Sequence, residues 1–425
     1  MQPASVEHVS LAVKTLTSHD CSFAVRSGGH SPNAGAANIA SGVTLDLTHL
    51  DAITVSSDQS TVSIGPAVTW GEVYSNLDPL NLTVAGGRSG GVGVGGLTVG
   101  GGISFHSPRV GFTADTVTNF QVVLADGRIV NSKDDPDLDW SLRGGSNNFG
   151  VVTRVDLTPI QQGKLWGGNV YSLIDTIDAQ LKAFVGISDA ATYDEYASLI
   201  MTLAYDGSTG MQLVANAIEY TKPEANPPVF QPLMDIPAIA STMRIDSMAS
   251  VSAELAQSSP NGGRVFYMTV THGNTLPMLE AVHDAWSTSV DAITGVKGVT
   301  WSLSLEPLPP AIYERHANDN AMGLTGRGGK ALVVTLLTAL WSDAVDDATV
   351  EAAGEKLFED IKGAAQKLGE YDPYLYLNYA NTAGWQGSPI TSYGWGSAAR
   401  LRQTSAKVDP SGVFQKQVPG GFKLG

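Results

Sequence analysis

The sequence predicts an α+β protein, in which a glycine-rich first part precedes a second part built on an antiparallel sheet. In the first 158 of the 425 residues, short apolar runs alternate with three glycine-rich loops. After Pro159, apolar runs of six to ten residues alternate with long amphipathic stretches. This second pattern is typical of an antiparallel sheet covered by helices. A chain of this length is expected to hold roughly two to three domains.

The first part begins with a helix and continues with short strands. Apolar residues from Val6 to Leu16 recur at helical spacing and predict a helix over residues 4–19. Thr69 and Glu72 have the spacing of a capping box, which predicts the start of a second helix. Strands are predicted at 21–25, 42–47, 52–55, 61–64, 82–85, 120–125 and 151–157.

The second part contains longer strands and longer helices. Its strands are predicted at 198–204, 212–220, 264–272, 299–305, 331–341 and 374–379. Its helices are predicted at 174–188, 276–293 and 345–368, and one more near 397–407. The longest apolar run, from Ala331 to Trp341, has the length of a strand and is too short to cross a membrane.

Charge and cysteine content limit the classes of function. The formal net charge of −16 argues against nucleic acid as a partner, because phosphates bind surfaces rich in Lys and Arg. This charge is compatible with small neutral or cationic ligands. Cys21 is the only cysteine, so no disulfide can form within the chain. The sequence has no metal-ligand spacing of His, Cys and Asp, and no metal is expected.

The start of the chain bears on location. Residues 1–4 contain no apolar signal segment, whereas Asn81-Leu82-Thr83 is a glycosylation sequon. We expect an extracellular protein whose signal peptide lies outside this chain, and an intracellular location is the alternative. We expect a monomer that has no membrane partner.

Three glycine-rich loops predict a site for an extended ligand. They are Arg26–Ser31, Gly86–Gly102 and Gly144–Gly150, and each adjoins a predicted strand. Glycines allow the main chain to approach a ligand closely and to direct its N–H groups at a phosphate. His30 follows two glycines in the first loop. The alternative is an ordinary turn with a surface histidine.

The second loop also matches a nicotinamide-dinucleotide pattern. Gly91–Gly96 reads G-x-G-x-x-G, and Asp115 follows at about 20 residues, as that pattern expects. The pattern requires a helix directly after the turn. Gly100–Gly102 would weaken such a helix by about 1 kcal/mol per glycine. We therefore predict extended backbone that passes a large flat ligand.

Five motifs in this order define a resemblance to a known family. They are Arg26-Ser27-Gly28-Gly29-His30-Ser31, Val84-Ala85-Gly86-Gly87-Arg88, Val92-Gly93-Val94-Gly95-Gly96, Asn147-Asn148-Phe149-Gly150-Val151-Val152-Thr153 and Tyr376-Leu377-Asn378-Tyr379. Together they resemble the FAD-linked oxidases of the vanillyl-alcohol oxidase superfamily, and within it the berberine-bridge-enzyme-like branch of fungi and plants. The resemblance extends to the Gly-rich tail and so covers nearly the whole chain.

The resemblance implies a two-domain fold of the PCMH-type FAD-binding class. Residues 1–158 would bind FAD, and residues 159–370 would form the substrate domain around an antiparallel sheet backed by helices. Residues 371–425 would return to the FAD domain. Family members usually carry one more strand–helix unit before the segment that matches Pro3, so we expect the N-terminal part of the FAD domain to be truncated.

The resemblance also implies how FAD is held. His30 would bond covalently to the 8α-methyl group of the flavin. Ser89 stands where many relatives carry a cysteine that forms a second link, so a single covalent bond is expected. Val92 matches a position that controls the access of O2, and packing in the core is its alternative role. The implied cofactor-binding residues are Arg26, Ser27, Gly28, Gly29, His30, Ser31, Gly86, Gly87, Val92, Gly93, Gly95, Gly96, Thr98, Gly102, Gly150, Val152 and Asn378.

The substrate side is expected at the last motif. A strand there would place Tyr376 and Asn378 on one side and Tyr379 on the other. By the resemblance, Asn378 contacts the flavin and one tyrosine is the base or substrate anchor, and we favour Tyr379 over Tyr376. Glu306 is expected in the pocket, with a surface carboxylate as the alternative. Further pocket candidates are His106, Tyr205, Glu219, His272 and His316.

The resemblance implies an oxidase of small molecules. It would oxidise an alcohol or amine group, with O2 as the acceptor and H2O2 as the product. Sugars or oligosaccharides and secondary metabolites are the two expected substrate classes. The alternatives are an oxidative cyclase of secondary metabolism, a flavin-bound cyclase without net redox chemistry such as a pericyclase, and an inactive paralogue.

Overall fold

The computed structural model describes residues 1–258, 262–382 and 386–425. Its helices are α1 (Val6–Ser18), α2 (Trp70–Leu77), α3 (Val94–Val99), α4 (Ser107–Val110), α5 (Pro136–Leu142), α6 (Ile177–Ile187), α7 (Gln231–Met234), α8 (Met248–Ala256), α9 (Leu276–Val290), α10 (Pro310–Tyr313), α11 (Asp347–Leu368), α12 (Pro389–Ser392), α13 (Trp395–Val408) and α14 (Val413–Lys416).

Its strands form four sheets. They are β1 (Phe23–Arg26), β2 (Val43–Asp46), β3 (Ile53–Val55), β4 (Val62–Ile64), β5 (Leu82–Thr83), β6 (Val117–Val123), β7 (Ile129–Asn131), β8 (Val151–Leu157), β9 (Ile160–Gln161), β10 (Leu165–Leu173), β11 (Ala197–Asp206), β12 (Met211–Tyr220), β13 (Ala240–Ser241), β14 (Arg244–Asp246), β15 (Arg264–Gly273), β16 (Thr300–Leu308), β17 (Leu332–Trp341) and β18 (Tyr371–Asp372).

The largest sheet has nine strands and is antiparallel throughout. Its order is β13-β10-β12-β11-β16-β17-β15-β18, and β14 also pairs with β10. In β11, the odd-numbered residues from Leu199 to Leu203 share a core with Trp286 of α9 and with α6 and α11. The even-numbered residues from Ile200 to Ala204 face a cavity on the opposite side. This two-residue period places helices on one face of the sheet and the cavity on the other.

The first part is built on a second antiparallel sheet. Its five strands have the order β3-β4-β8-β6-β7, and the parallel pair β1–β2 stands beside them. Helix α2 starts where the Glu72 carboxylate accepts a hydrogen bond from the Thr69 amide at 2.8 Å, as the capping-box pattern predicted. The C-terminal segment contacts the first part of the chain. The ring centroids of Phe414 and Phe23, for example, lie 6.3 Å apart.

The α+β fold class predicted from the sequence is confirmed. Each of the five long strands predicted between 198 and 341 is present with its ends shifted by at most three residues. The domain boundaries at 158 and 370 stay a prediction. Tyr313 and Met322, from within the predicted substrate domain, share a core with Trp70 of the first part.

Two local predictions were wrong. Residues 374–379 do not form a strand, because Leu377–Tyr379 is a turn of 3-10 helix. The glycine tract is not extended throughout, because it contains the six-residue helix α3. In the described part of the chain, no helix combines the length and the apolar character that crossing a membrane requires.

Candidate active site

The candidate site is a cavity of about 580 Å³ between the glycine-rich loops and the large sheet. Fifteen of the predicted site residues line it: Ser27, Gly28, Gly29, His30, Ser31, Val92, Gly93, Gly95, Gly96, Gly150, Val152, Glu306, Tyr376, Asn378 and Tyr379. The structure therefore brings together residues from both parts of the chain and from the C-terminal segment. Their roles stay predictions.

The first and second loops touch through two glycines. A Cβ atom added at Gly28 would lie 2.6 Å from the Gly93 Cα, and one added at Gly93 would lie 2.6 Å from the Gly28 Cα. Any side chain at either position would push the loops apart. Gly29 has a φ of +69°, which favours glycine. The backbone N–H groups of residues 27–31 have no acceptor in the described part of the chain, so they are free to bind a ligand.

Five of the predicted cofactor residues lie away from the cavity lining. Arg26 forms an ion pair with Asp46 at 2.5 Å. The other four have local packing roles. Gly86 and Gly87 pack on the Trp70 ring, where an added Cβ would lie 2.1 and 2.6 Å from ring atoms. Thr98 is buried and bonds to the Val94 carbonyl, and an added Cβ at Gly102 would lie 2.5 Å from atoms of both Leu97 and Thr113.

A buried ion pair with a tyrosine stands at the wall of the cavity. The Arg88 Nη2 donates to Glu306 Oε2 at 2.5 Å and to the Tyr379 hydroxyl at 2.9 Å. The Tyr379 hydroxyl donates to Glu306 Oε1 at 2.9 Å. The side chains of Arg88 and Glu306 are only 8% and 3% exposed. The three groups form a closed triangle of hydrogen bonds, which we call the Arg88 cluster.

Charges in the Arg88 cluster shift the ionisation of its members. Burial and then the Glu306 carboxylate raise the pKa of Tyr379 well above its ordinary value, and the Arg88 guanidinium opposes this shift. Burial alone would lower the pKa of Arg88, but the neighbouring carboxylate and phenols outweigh it and raise that pKa. Tyr379 is therefore a neutral phenol near neutral pH, and its proton has a carboxylate acceptor in contact.

Tyr376 stands next to Tyr379 instead of opposite to it. Their ring centroids lie 4.7 Å apart at an interplanar angle of 82°. The Tyr376 hydroxyl accepts hydrogen bonds from the Ile103 amide and from Asn378 Nδ2, each at 3.1 Å. The turn of 3-10 helix causes this arrangement, since a strand would have separated the two rings. Burial raises the pKa of Tyr376 to about 12.

His30 and Ser89 also face the cavity. Desolvation by the surrounding loops lowers the pKa of His30, although its side chain remains accessible. The imidazole is therefore neutral near neutral pH, which leaves a ring nitrogen with a free electron pair. The Ser89 Oγ is buried and has no hydrogen-bond partner in the described residues.

The other candidate residues lie outside the cavity lining. His106 is fully buried and its Nδ1 lies 2.7 Å from Arg109 Nη2. His272 bonds to the Thr335 hydroxyl at 2.8 Å, and His316 lies 3.4 Å from an Asp319 carboxylate oxygen. Tyr205 is buried in β11, where it pairs with Trp301.

Glu219 is also outside the lining and has unusual surroundings. It is fully buried in β12, and neither carboxylate oxygen has a hydrogen-bond partner in the described residues. Burial raises its pKa to about 8, although Arg88 opposes the shift. In the described ranges, no three His, Cys, Asp or Glu side chains are grouped in a way that could hold a metal ion.

Sequence reasoning found the glycine loops but missed Arg88 as a site residue. Arg88 lies in the second motif, yet it contacts Glu306 across 218 positions of sequence. The signal that could have identified Arg88 is a single arginine within a glycine tract. An arginine that becomes buried there needs a carboxylate or another anion as its partner.

The cavity fits an FAD molecule by its own geometry. Free backbone N–H groups and close glycine contacts at one end suit a pyrophosphate, and the unpartnered Ser89 hydroxyl needs a polar ligand atom. The glycines that line the cavity have no side chains, so they leave this space open to a ligand.

Comparisons with known proteins agree with this interpretation. A family model described as "FAD binding domain" matches residues 1–133. The chain is 36% identical over 433 residues to "FAD-dependent monooxygenase drtC" of Aspergillus calidoustus, covering 99% of this chain and 82% of that protein. It is 42% identical over 439 residues to "Oligopeptidase PhomG'" of Diaporthe leptostromiformis, but spans only 34% of the length of that relative.

Solved structures share the fold at low sequence identity. A xylooligosaccharide oxidase of Myceliophthora thermophila in complex with xylobiose has a TM-score of 0.80 at 20% identity, covering 97% of this chain and 89% of that one. Berberine bridge enzyme of Eschscholzia californica has a TM-score of 0.79 at 18% identity, covering 100% and 90%.

The fold, the site and these relatives define an FAD-linked oxidoreductase. The chain belongs to the family of fungal FAD-dependent enzymes that includes the Aspergillus calidoustus relative, and it shares its fold with berberine bridge enzyme. FAD is thus confirmed as the cofactor that the sequence predicted.

Proposed function

We propose that the protein oxidises an alcohol or amine group of a small, uncharged secondary metabolite, with O2 as the acceptor. The Arg88 cluster carries this proposal, because it places a phenol and a carboxylate proton acceptor in the cavity wall. When bound, FAD would accept two electrons from the substrate and pass them to O2, which yields H2O2.

Tyr379 would act as the base through its contact with Glu306. As the substrate is oxidised, its O–H or N–H proton moves to the Tyr379 oxygen, and the phenolic proton moves to Glu306 Oε1. A neutral phenol needs this relay, because its pKa is too high for it to lose its proton to water. The Arg88 guanidinium would hold both oxygens in place and stabilise negative charge on either.

The wall formed by the large sheet favours an uncharged substrate that offers both apolar and hydrogen-bonding groups. The described strand residues that line the cavity are Asn169, Tyr171, Ile200, Thr202, Ala204, Leu213, Ala215, Ala217, Tyr267, Thr300, Ser302, Ser304, Glu306, Leu336, Thr338 and Leu340. Among these, only Glu306 carries a charge; of the other fifteen, seven have aliphatic side chains and eight carry a hydroxyl or amide group. Such a wall offers broad contact with few charged or amide groups.

The test is oxygen uptake with a panel of aromatic alcohols, amines and oligosaccharides. We expect uptake with equimolar H2O2 for the uncharged aromatic members of the panel. With the best substrate, Tyr379→Phe should lower kcat by about 100-fold or more, in the range of a lost general base. Tyr376→Phe, the matched control, should retain much more of kcat, because Tyr376 contacts no carboxylate in the described residues. Equal losses in the two variants would refute the assignment of Tyr379.

A second candidate function is insertion of one atom of O2 into the substrate, while the other atom is reduced to water by two electrons from an external reduced donor such as a nicotinamide cofactor. The name of the Aspergillus calidoustus relative, an FAD-dependent monooxygenase, favours this function. Labelling with ¹⁸O2 separates the two functions, since insertion puts the label into the product whereas oxidation puts it into H2O2. A product isomeric with the substrate and no oxygen uptake would instead identify a cyclase without redox chemistry.

We also propose that His30 forms the single covalent bond to the flavin. Its accessible, neutral imidazole in the cavity supports this assignment, and Ser89 provides no thiol for a second bond. After acid denaturation, the yellow colour should stay with the precipitate and be lost in His30→Ala. Yellow supernatant from the parent protein would exclude a covalent bond.

A further inference from the structure

The C-terminal tail, residues 418–425, holds a partly buried lysine beside the cavity. Lys423 Nζ donates to the Asn147 Oδ1 at 3.2 Å and to the Phe414 carbonyl at 3.0 Å. Both partners are neutral, and both residues line the cavity. In the described residues no carboxylate lies within ion-pair distance of Lys423. An ammonium group has three donors, so one N–H remains for another acceptor.

The tail is fixed in this position by several hydrogen bonds. Asn147 Nδ2 donates to the Gly420 carbonyl at 3.0 Å, and Asn148 Nδ2 donates to the Phe422 carbonyl at 2.9 Å. A Cβ added at Gly421 would lie 2.9 Å from the Asn147 Oδ1, so glycine allows this close approach. Lys423 is therefore held against the third glycine-rich loop by the fold.

An ammonium group without a counterion is costly in such surroundings. Desolvation lowers the pKa of Lys423 to about 7. An anion near the lysine would reverse this effect, because opposite charges favour the charged form. Residues 27–31 line the same cavity, and their free backbone N–H groups suit a phosphate. The negatively charged pyrophosphate of FAD is therefore a suitable anion.

We propose that Lys423 is a positioning residue whose ammonium group, through its hydrogen bond to Asn147, stabilises the negative charge of the FAD pyrophosphate. The inference rests on the FAD dependence in the proposed function, but not on the substrate or the reaction. Lysine acts here as a compact positive charge brought to the cofactor by the C-terminal tail.

Ligand binding tests the proposal without any enzyme turnover. In a His30→Ala background, which allows reversible binding, we would titrate FAD, ADP and riboflavin. Lys423→Met should raise the Kd for FAD and for ADP at least 10-fold and leave the Kd for riboflavin, which has no phosphate, within twofold. Lys416→Met is the control, since Lys416 is bonded to the Ser411 carbonyl and should change none of these values. An unchanged Kd for ADP, or an equal loss of riboflavin binding, would overturn the proposal.

A second measurement covers the case in which Lys423→Met does not fold. Acetylation of the amines in the His30→Ala protein is followed by mass spectrometry of the Lys423 peptide. Inorganic pyrophosphate and ADP should each protect Lys423 at least threefold, whereas riboflavin should not. Absence of protection by ADP would refute the proposal, even if the oxidation of substrate were confirmed. Protection without any oxidase activity would support Lys423 and count against the proposed reaction alone.

Discussion

At the scale of single residues, the Arg88 cluster combines a structural role with the chemical role that we propose for it. Two opposite charges are removed from water, and each is satisfied by the other and by Tyr379. Removing one partner of such a pair leaves an uncompensated buried charge, which typically costs about 3–5 kcal/mol. Removing both partners costs less, because no charge remains unpaired.

This difference predicts the result of a double-mutant cycle. Arg88→Met should lower the free energy of unfolding by about 3–5 kcal/mol. Adding Glu306→Gln should recover part of that loss, because the remaining carboxylate is neutralised. Urea unfolding of the parent, the two single variants and the double variant gives the coupling. Additive losses would show that the two charges do not depend on each other.

Glu219 predicts a dependence of stability on pH. Its pKa is raised from 4.5 to about 8 by burial. Between these values the folded state keeps a proton that the unfolded state releases, so stability falls as pH rises through this window. Glu219→Gln removes the ionisable group. Its unfolding temperature should match the parent near pH 5 and exceed it near pH 8.5.

A matched variant controls this prediction. Glu351 is exposed in α11, so Glu351→Gln should change the unfolding temperature little at either pH. If Glu219→Gln follows the same pH profile as the parent protein, Glu219 is not the source of the dependence.

At the scale of elements, close glycine contacts explain why the loops enclose a cavity. The contact between Gly28 and Gly93 joins the turn after β1 to the start of α3. Helix α3 itself is short and rich in glycine, which is why the sequence did not indicate it. Its helical conformation depends on tertiary contacts of this kind.

Gly93→Ala tests the contact. The new methyl group would meet the Gly28 backbone at 2.6 Å, so the loops must move apart. We expect a loss of about 1–3 kcal/mol of stability and a lower flavin content in the purified protein. Gly186→Ala in α6 is the control, because an added Cβ there meets no atom within 4 Å. A Gly93→Ala protein with parental flavin content and unfolding temperature would contradict the prediction.

The elements also show which features a sequence predicts well. Five long strands of the large sheet were predictable, because a strand such as β11 alternates between residues that face the helices and residues that face the cavity, whereas the long strand β10 was not predicted. The segment from Tyr376 to Tyr379 was not, since four residues fit a strand and a turn of 3-10 helix equally well. That error separated two tyrosines whose rings are in contact.

At the scale of the molecule, the site exists only when distant segments meet. The loop with His30 was predictable as part of the site once its glycines were taken together with the other glycine-rich motifs. The pairing of Arg88 with Glu306 and the contact of Lys423 with Asn147 were not, because they join positions 218 and 276 residues apart. No local pattern encodes such contacts, which depend on how the two parts and the tail pack.

The tail therefore should matter for both stability and cofactor binding. Val418, Phe422 and Leu424 are each at most 8% exposed, and burial of such side chains contributes about 1.5–3 kcal/mol each. The same tail carries Lys423 and bonds to Asn147 and Asn148.

A chain that ends at Gln417 should unfold at a clearly lower temperature and retain less flavin. A chain that lacks only the exposed Gly425 is the control and should behave as the parent in thermal unfolding and in the ratio of absorbance at 450 to 280 nm. If the chain ending at Gln417 kept the parental unfolding temperature and flavin content, the C-terminal tail would not be part of the cofactor site.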